Sequence, residues 1–215
     1  MDAKTLVSKL HWLGHDSFRL DGPPVIYFDP WKLKGKQPVA DLVLVSHEHA
    51  DHCSPDDVKR VSGPGTVVVA AAKAAEKLPG ARVVRPGDHL AVAGVEIEAV
   101  RAYNVNKFRS PGVPFHPREA EHVGYLVTVE GARVYFAGDT DHIPEMAQID
   151  CDIALLPVSG TYVMTADEAV AAARDIQPQV AVPMHYAGGV VGTVDDARRF
   201  QEGWEGKTVI PTRTK

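Results

Sequence analysis

The chain has 215 residues, of which 45% are hydrophobic and 24% charged, a balance that excludes disordered, collagen-like and coiled-coil proteins. The formal net charge of -5 gives no indication of nucleic-acid binding, and the two cysteines are too few for a disulfide framework. No apolar run approaches the roughly 18 residues of a membrane span, and the amino terminus lacks the apolar core of a signal peptide, so we expect a cytoplasmic protein without a membrane partner.

Nine short runs rich in valine and isoleucine predict β-strands. In chain order they are residues 25–30, 41–47, 66–70, 94–100, 124–129, 132–140, 151–158, 179–186 and 208–211. Helices are predicted after a cap at Ser54, over the alanine-rich run 70–78, and after capping boxes at Thr165 and Thr193. Because no linker or repeat divides the chain, we predict one α/β domain over residues 1–215, in which two sheets pack together with helices outside.

The densest cluster of chemically active side chains directly follows the apolar strand LVLVS at residues 42–46. It reads His47-Glu48-His49-Ala50-Asp51-His52. Four potential ligands in six residues cannot share one face of a helix or strand, but they can converge from a tight loop at a strand end. Imidazole and carboxylate ligands suit Zn²⁺, and they also accept Fe, Mn or Ni. The alternative, a histidine-rich surface turn, is disfavoured by the specific H-x-H-x-D-H spacing.

This hexad resembles the signature of the metallo-β-lactamase superfamily. The segments FAGDT at 136–140 and PMHY at 183–186 are similar to two later motifs of that superfamily. The segments WLGHDSF at 12–18, FDP at 28–30 and LLPV at 155–158, with Met164-Thr165, resemble the branch that contains L-ascorbate-6-phosphate lactonase and uncharacterised metal-dependent hydrolases. The resemblance runs from about residue 10 to residue 200. It implies a four-layer αββα sandwich with metals at one edge between the two sheets.

The same resemblance implies two divalent metal ions, with zinc favoured over Mn, Ni or Fe. The implied first-ion ligands are His47 and His49, and the bridging ligand is Asp139. The implied second-ion ligands are Asp51, His52 and His185.

One ligand of the first ion does not follow from the motifs. Many members of the branch supply it as a histidine in a P-A-x-H stretch, but the corresponding residues here end in Asn104, and asparagine is a poor zinc ligand. The next loop offers His116 and His122. We favour His116, because F-H-P shortly before V-G-Y is similar to a pattern of this branch. If neither histidine binds, a one-metal site is the remaining interpretation.

Other residues have a functional and a structural interpretation. His15 either lies beside the metals or substrate or orients its loop, and Asp29 either supports the histidines of the hexad or is a turn residue. Asn104, His122 and Tyr186 are further candidates for the surroundings of the metals or for substrate contact. Lys107 and Arg109 either meet a phosphate or belong to a solvated loop.

The implied function is hydrolysis of a small ester, lactone or phosphate-bearing molecule by a hydroxide that bridges the metals. Asp51 and Asp139 are the predicted catalytic carboxylates, with Asp51 orienting the nucleophile and passing a proton to the leaving group. The expected partner is a small-molecule substrate and not nucleic acid, and the oligomeric state stays open, homo-oligomers included. Alternatives are a phosphodiesterase or nuclease of the same superfamily, which the acidic charge disfavours, and a non-catalytic metal-binding protein. An oxygen-reducing diiron protein is expected to carry glutamate at position 49.

Overall fold

The computed structural model describes residues 2–214. The helices in this range are α1 (Ala3–Ser8), α2 (Pro55–Val61), α3 (Ala72–Ala75), α4 (Ala166–Ile176) and α5 (Val194–Gly203). The first seven strands are β1 (Leu10–Gly14), β2 (Ser17–Leu20), β3 (Ile26–Phe28), β4 (Ala40–Val45), β5 (Ser62–Ala71), β6 (Arg82–Val84) and β7 (His89–Val92). The others are β8 (Val95–Arg101), β9 (Phe108–Ser110), β10 (Val113–Pro114), β11 (Val123–Val129), β12 (Ala132–Phe136), β13 (Ile153–Pro157) and β14 (Val180–Met184). Short 3-10 helices cover Arg118–Ala120 and Pro144–Gln148.

The strands form two six-stranded mixed sheets and one small hairpin. Sheet 1 has the order β1-β2-β3-β4-β5-β6, antiparallel from β1 to β3 and parallel from β3 to β6. Sheet 2 has the order β14-β13-β12-β11-β8-β7, with parallel pairing from β12 to β14 and antiparallel pairing elsewhere. The hairpin consists of β9 and β10.

The main hydrophobic core lies between the two sheets. Phe28 on β3 and Phe136 on β12 are fully buried, and their rings stack with centroids 5.1 Å apart. The hydroxyl of Tyr125 on β11 donates a hydrogen bond of 2.8 Å to the carbonyl of Val45, at the end of β4. This bond joins sheet 2 to the strand that precedes the hexad, and it gives the buried hydroxyl of Tyr125 a hydrogen-bond partner.

Helices cover the outer face of each sheet. Val58 of α2 and Ala74 of α3 belong to a second buried cluster with Val43 of sheet 1. Ala169 of α4 and Phe200 of α5 are buried with the apolar side chains of sheet 2. The predicted αββα sandwich is therefore confirmed. No helix among residues 2–214 is both long and apolar enough to cross a membrane.

Two of the element predictions are wrong in part. Residues 208–211 form no strand but a single bridge from Thr208 to Ala181, because the chain runs past the edge of β14 and reaches Pro211. The helix predicted over 70–78 is only α3, because Ala70 and Ala71 extend β5, where each pairs with a residue of β6. Sheet pairing thus outweighs the helix propensity of alanine at these two positions.

Candidate metal centre

Loops that follow the ends of strands bring the predicted site residues together. His47 lies just beyond β4, Asp139 beyond β12 and His185 beyond β14, so the carboxyl ends of these strands meet at one edge of the sandwich. His15, Asp29 and His185 have φ values of 55°, 40° and 59°. Such left-handed conformations are uncommon outside glycine, and they often occur at functional sites.

The first group of potential ligands contains His47, His49, His116 and Asp139. Nδ1 of His49 lies 3.0 Å from Nε2 of His47 and 3.2 Å from Nε2 of His116. Asp139 Oδ2 lies 3.2 Å from Nε2 of His116 and 3.9 Å from Nε2 of His47. Three imidazole nitrogens and one carboxylate oxygen therefore face a common point, as in a tetrahedral zinc site.

The second group lies on the other side of Asp139. The Oδ1 atom of Asp139 is 3.3 Å from Nε2 of His52 and 3.4 Å from Nε2 of His185. Asp51 is more distant, since its Oδ2 is 4.0 Å from Nε2 of His52. That same oxygen lies 3.2 Å from Nε2 of His15. Asp139 therefore separates two groups of imidazoles, and Asp51 lies at the margin of the second.

The outer ring nitrogens of these histidines have fixed partners. Nδ1 of His52 lies 2.7 Å from Asp29 Oδ2, and Nδ1 of His185 lies 2.8 Å from the hydroxyl of Ser159. Such contacts set the tautomer and the ring orientation, and they leave the inner nitrogen free to bind a metal ion. Asp29 therefore contacts and orients His52. Of the two interpretations given for Asp29, this contact favours support of the hexad histidines over a simple turn residue.

His116 and His122 occupy different environments. His116 points into the first group, and Asn104 Oδ1 accepts from its backbone N–H at 2.8 Å and lies 2.9 Å from its Nδ1. The Nε2 atom of His122 instead lies 3.0 Å from Glu48 Oε2, while its ring stacks against His47 with centroids 4.9 Å apart. Asn104 thus orients the ring of His116 toward the first group.

The chemistry of the centre fits divalent cations. Nε2 of His52, Nε2 of His185 and Oδ1 of Asp139 are buried, and among the described residues they have no hydrogen-bond partner. Burial acts to raise the pKa of Asp139, but the charges of His185 and His52 hold it well below its usual value. Burial likewise acts to lower the pKa of His52, yet the charge of Asp139 raises it well above its usual value. The centre therefore attracts positive charge, and its inner atoms are free to bind it.

Asp51 reaches a cleft beside the two groups. The cleft has a volume of about 460 Å³ and is lined by His49, Ala50, Asp51, Arg109, Phe115, His116, Asp139 and Tyr162. Burial acts to raise the pKa of Asp51, but the hydrogen bond from His15 and the charge of His52 lower it below its usual value. A concavity of about 530 Å³ on sheet 2 is larger, but its lining includes His89 and none of the grouped histidines.

The side chains of Tyr186 and Lys107 contact residues other than the grouped histidines, whereas Arg109 lines the cleft. Tyr186 stacks on Trp12 with ring centroids 4.9 Å apart, and its buried hydroxyl has no hydrogen-bond partner among residues 2–214. Lys107 is bound by Glu168 at 2.7 Å and does not point into the cleft as a free cation. Arg109 does line the cleft, where its guanidinium lies 5.6 Å from the ring centroid of Phe115.

Sequence reasoning missed one carboxylate, Asp16. It is fully buried, and its Oδ2 lies 3.4 Å from Nε2 of His52 and 3.8 Å from Nε2 of His185. In the segment WLGHDSF it occupies the variable position between His15 and Ser17. The signal that was available is an acidic residue next to a candidate site histidine.

The chain is similar to known metal-dependent hydrolases. Residues 9–185 match the family described as Beta-lactamase superfamily domain. A UPF0173 metal-dependent hydrolase of Thermoplasma acidophilum is 33% identical over 196 residues, covering 83% of each chain. A UPF0173 metal-dependent hydrolase of Methanoculleus marisnigri is 35% identical over 185 residues, covering 83% of this chain and 80% of that protein.

Solved structures agree with these relatives. The crystal structure of a Parabacteroides distasonis protein described as a metal-dependent hydrolase has a TM-score of 0.84 and 32% identity, covering 95% of this chain and 93% of that one. The metallo hydrolase Igni18 from Ignicoccus hospitalis has a TM-score of 0.74 over 96% of this chain and 95% of that one, and at 22% identity it shows the fold alone. The resemblance to the lactonase branch stays a prediction. The chain therefore belongs to the metallo-β-lactamase superfamily, as a relative of the UPF0173 metal-dependent hydrolases.

Proposed function

We propose that this metal-dependent hydrolase cleaves a small ester, lactone or phosphate-bearing substrate at a centre of two divalent ions, with zinc favoured. The position of Asp139 carries the proposal. Its Oδ2 faces His116 at 3.2 Å, and its Oδ1 faces His52 at 3.3 Å and His185 at 3.4 Å. A carboxylate with one oxygen toward each group is suited to bridge two ions.

Two divalent ions held by these residues would supply Lewis acidity and would let a water molecule lose its proton at neutral pH. Asp51 stands at the cleft with its side chain 24% exposed, and Nε2 of His15 lies 3.2 Å from its Oδ2. Because its pKa is lowered, Asp51 is a carboxylate at neutral pH. Its oxygen accepts a hydrogen bond from the attacking water, takes the proton and returns it to the leaving group.

The cleft supports a small substrate that carries a negative charge. A volume of about 460 Å³ lies within the range of small-molecule sites. Arg109 has no carboxylate within ion-pair distance among residues 2–214, so its guanidinium is available to an anionic group on the substrate. The acidic net charge of -5 favours a small anion over a polyanion such as nucleic acid.

Hydrolysis by the zinc-loaded protein tests the proposal. We expect turnover of p-nitrophenyl acetate, a simple lactone or p-nitrophenyl phosphate, loss of turnover with chelator and recovery with added zinc. Asp139→Ala lowers the rate by more than about 100-fold, since even the partners of metal ligands are worth 10- to 100-fold. Asp150→Ala, at a side chain 90% exposed, serves as the control.

Two results count against this assignment. Activity that survives Asp139→Ala would exclude hydrolysis at the bridged centre. Turnover confined to bis(p-nitrophenyl) phosphate and oligonucleotides would favour the phosphodiesterase function instead.

A further inference from the structure

Asp16 is a buried carboxylate without an explanation in the fold. It lies in the turn between β1 and β2 with no exposed surface, and neither of its oxygens has a hydrogen-bond partner among residues 2–214. Burying an ionised carboxylate is strongly unfavourable unless another charge or a metal compensates. When Asp16 is ionised, it therefore needs a positively charged neighbour.

The surroundings of Asp16 supply metal-ligating atoms. Its Oδ2 lies 3.4 Å from Nε2 of His52, 3.8 Å from Nε2 of His185 and 3.8 Å from Nε2 of His15. Two ligands bound to one zinc ion at about 2 Å in a tetrahedral arrangement lie about 3.3 Å apart. The separations from His52 and His185 are close to that value, and both of these nitrogens lack hydrogen-bond partners within the described chain.

Apart from Asp139, the two neighbouring carboxylates Asp29 and Asp51 have partners of their own. Asp29 accepts hydrogen bonds from the backbone N–H of Ser46 and lies near Nδ1 of His52, both at 2.7 Å. Asp51 lies 3.2 Å from Nε2 of His15, and it is farther from His52, at 4.0 Å, than Asp16 is. Next to Asp139, Asp16 is thus the carboxylate that lies nearest to the inner nitrogens of the second group.

We propose that Asp16 is a ligand of the second divalent ion, together with His52, His185 and the bridging Asp139. This inference rests on the metal centre of the proposed function. Asp51 then lies at the edge of the second site, oriented by His15 toward the cleft, where its carboxylate is free for proton transfer. Two adjacent residues of the segment WLGHDSF then have different roles: Asp16 binds the ion, and His15 orients Asp51.

The test compares Asp16→Asn with the wild type in the metal-free and zinc-loaded states. Without metal, we expect Asp16→Asn to unfold at the same temperature as the wild type or a higher one, because a buried carboxylate without hydrogen-bond partners is gone. With zinc, we expect the wild type to gain more in melting temperature, and the second zinc to bind at least about 10-fold more weakly to the variant in competition with a chelating dye. Asp16→Ala repeats the measurement in case the amide is not tolerated.

Asp29→Asn is the matched control. It removes a buried carboxylate that accepts hydrogen bonds, so it lowers the melting temperature of the metal-free protein. Equal losses of melting temperature in both states for Asp16→Asn and Asp16→Ala would mean a structural role and would overturn the inference. Two zinc ions bound with wild-type affinity by either variant would overturn it as well, and would leave the proposed function intact. A wild type that binds no zinc would overturn both.

Discussion

His116 and His122 are six residues apart in one loop, but only His116 points at the metal-ligand groups. Its Nε2 lies 3.2 Å from both His49 Nδ1 and Asp139 Oδ2, whereas Nε2 of His122 faces Glu48 at 3.0 Å. We therefore expect His116→Ala to lose about one of two bound zinc ions and His122→Ala to keep both. Elemental analysis of the purified variants measures this difference.

The expected effect of His122→Ala is local. Burial acts to raise the pKa of Glu48, but contact with His122 lowers it to about 2. Without His122 that pKa rises toward its usual value, while the metal content stays unchanged. Equal metal loss in the two variants, or loss in His122→Ala alone, would contradict the assignment of His116.

The sequence predicted those ligands that belong to fixed motifs. The resemblance to the superfamily motifs implied His47, His49, His52, Asp139 and His185 as ligands, and the structure brings these side chains together. Asp16 was missed because it occupies a variable position, where nothing in the linear pattern shows that it is fully buried. The hydroxyls beside the outer ring nitrogens were missed as well, because Ser159 lies 26 residues from His185 along the chain.

Strands and helices could be predicted where the local sequence pattern alone determines the secondary structure. The valine-rich runs became central strands, since a strand between two layers buries both of its faces. The end of β5 was predicted wrongly because its two last residues pair with β6, a distant part of the chain. The segment 208–211 was predicted wrongly because it forms only one bridge to β14 and does not continue as a paired strand. The short edge strands β6 and β7 carry too little pattern to be found in sequence.

The capping box of α4 also binds Lys107, which lies in the loop before β9. The carboxylate of Glu168 accepts from the backbone N–H of Thr165 at 2.7 Å and from Lys107 at 2.7 Å. Burial acts to raise the pKa of Glu168, but these bonds lower it from 4.5 to about 2. A lowered pKa means that the ionised carboxylate stabilises the fold, fully above pH 4.5 and progressively less as the pH falls toward 2.

We therefore expect Glu168→Gln to lower the free energy of unfolding by about 1 kcal/mol at pH 7, since the partly buried ion pair with Lys107 is lost while the glutamine oxygen can still accept the capping hydrogen bond. The difference from the wild type shrinks below pH 4.5 and vanishes near pH 2. Urea denaturation at several pH values measures it, with exposed Glu202→Gln as the control. A difference independent of pH would show that charge at Glu168 does not stabilise the fold.

The hairpin of β9 and β10 carries Arg109, whose guanidinium lines the cleft. Arg109 lies on β9, and the exposed side chains of Phe108 and Val113 accompany it on the same hairpin. We expect Arg109→Ala to raise KM for p-nitrophenyl phosphate about tenfold, the value of one charge-assisted hydrogen bond, with metal content unchanged. KM for neutral p-nitrophenyl acetate should not change.

Steady-state kinetics on the two substrates separate charge recognition from general damage to the hairpin. Arg198→Ala is a suitable control, because Arg198 pairs with Asp195 on α5. A rise in KM for the neutral ester as large as that for the phosphate would mean that Arg109 shapes the cleft without recognising charge.

The carboxyl-terminal segment connects the edge strands of the two sheets beside the second group of potential ligands. Thr208 bridges to Ala181 on β14, and Arg213 bridges to Trp12 on β1, so one segment crosses the edge strands of both sheets. The guanidinium of Arg213 donates to the carbonyl of Leu13 at 2.7 Å, just before the turn that holds His15 and Asp16. His185 follows β14 directly, so the positions of these ligands depend on the same edge.

Removal of residues 208–215 should therefore weaken the second metal site more than the first. We expect the truncated chain to stay folded around the core between the sheets, but to bind one zinc ion at least about 10-fold more weakly while the other keeps its affinity, because the outer support of its ligands is gone. Arg213→Ala should give a smaller loss in the same direction, and Thr212→Ala, at an exposed position, none. Zinc titration in competition with a chelating dye resolves the two affinities, and equal weakening of both ions would show that the segment acts on overall stability alone.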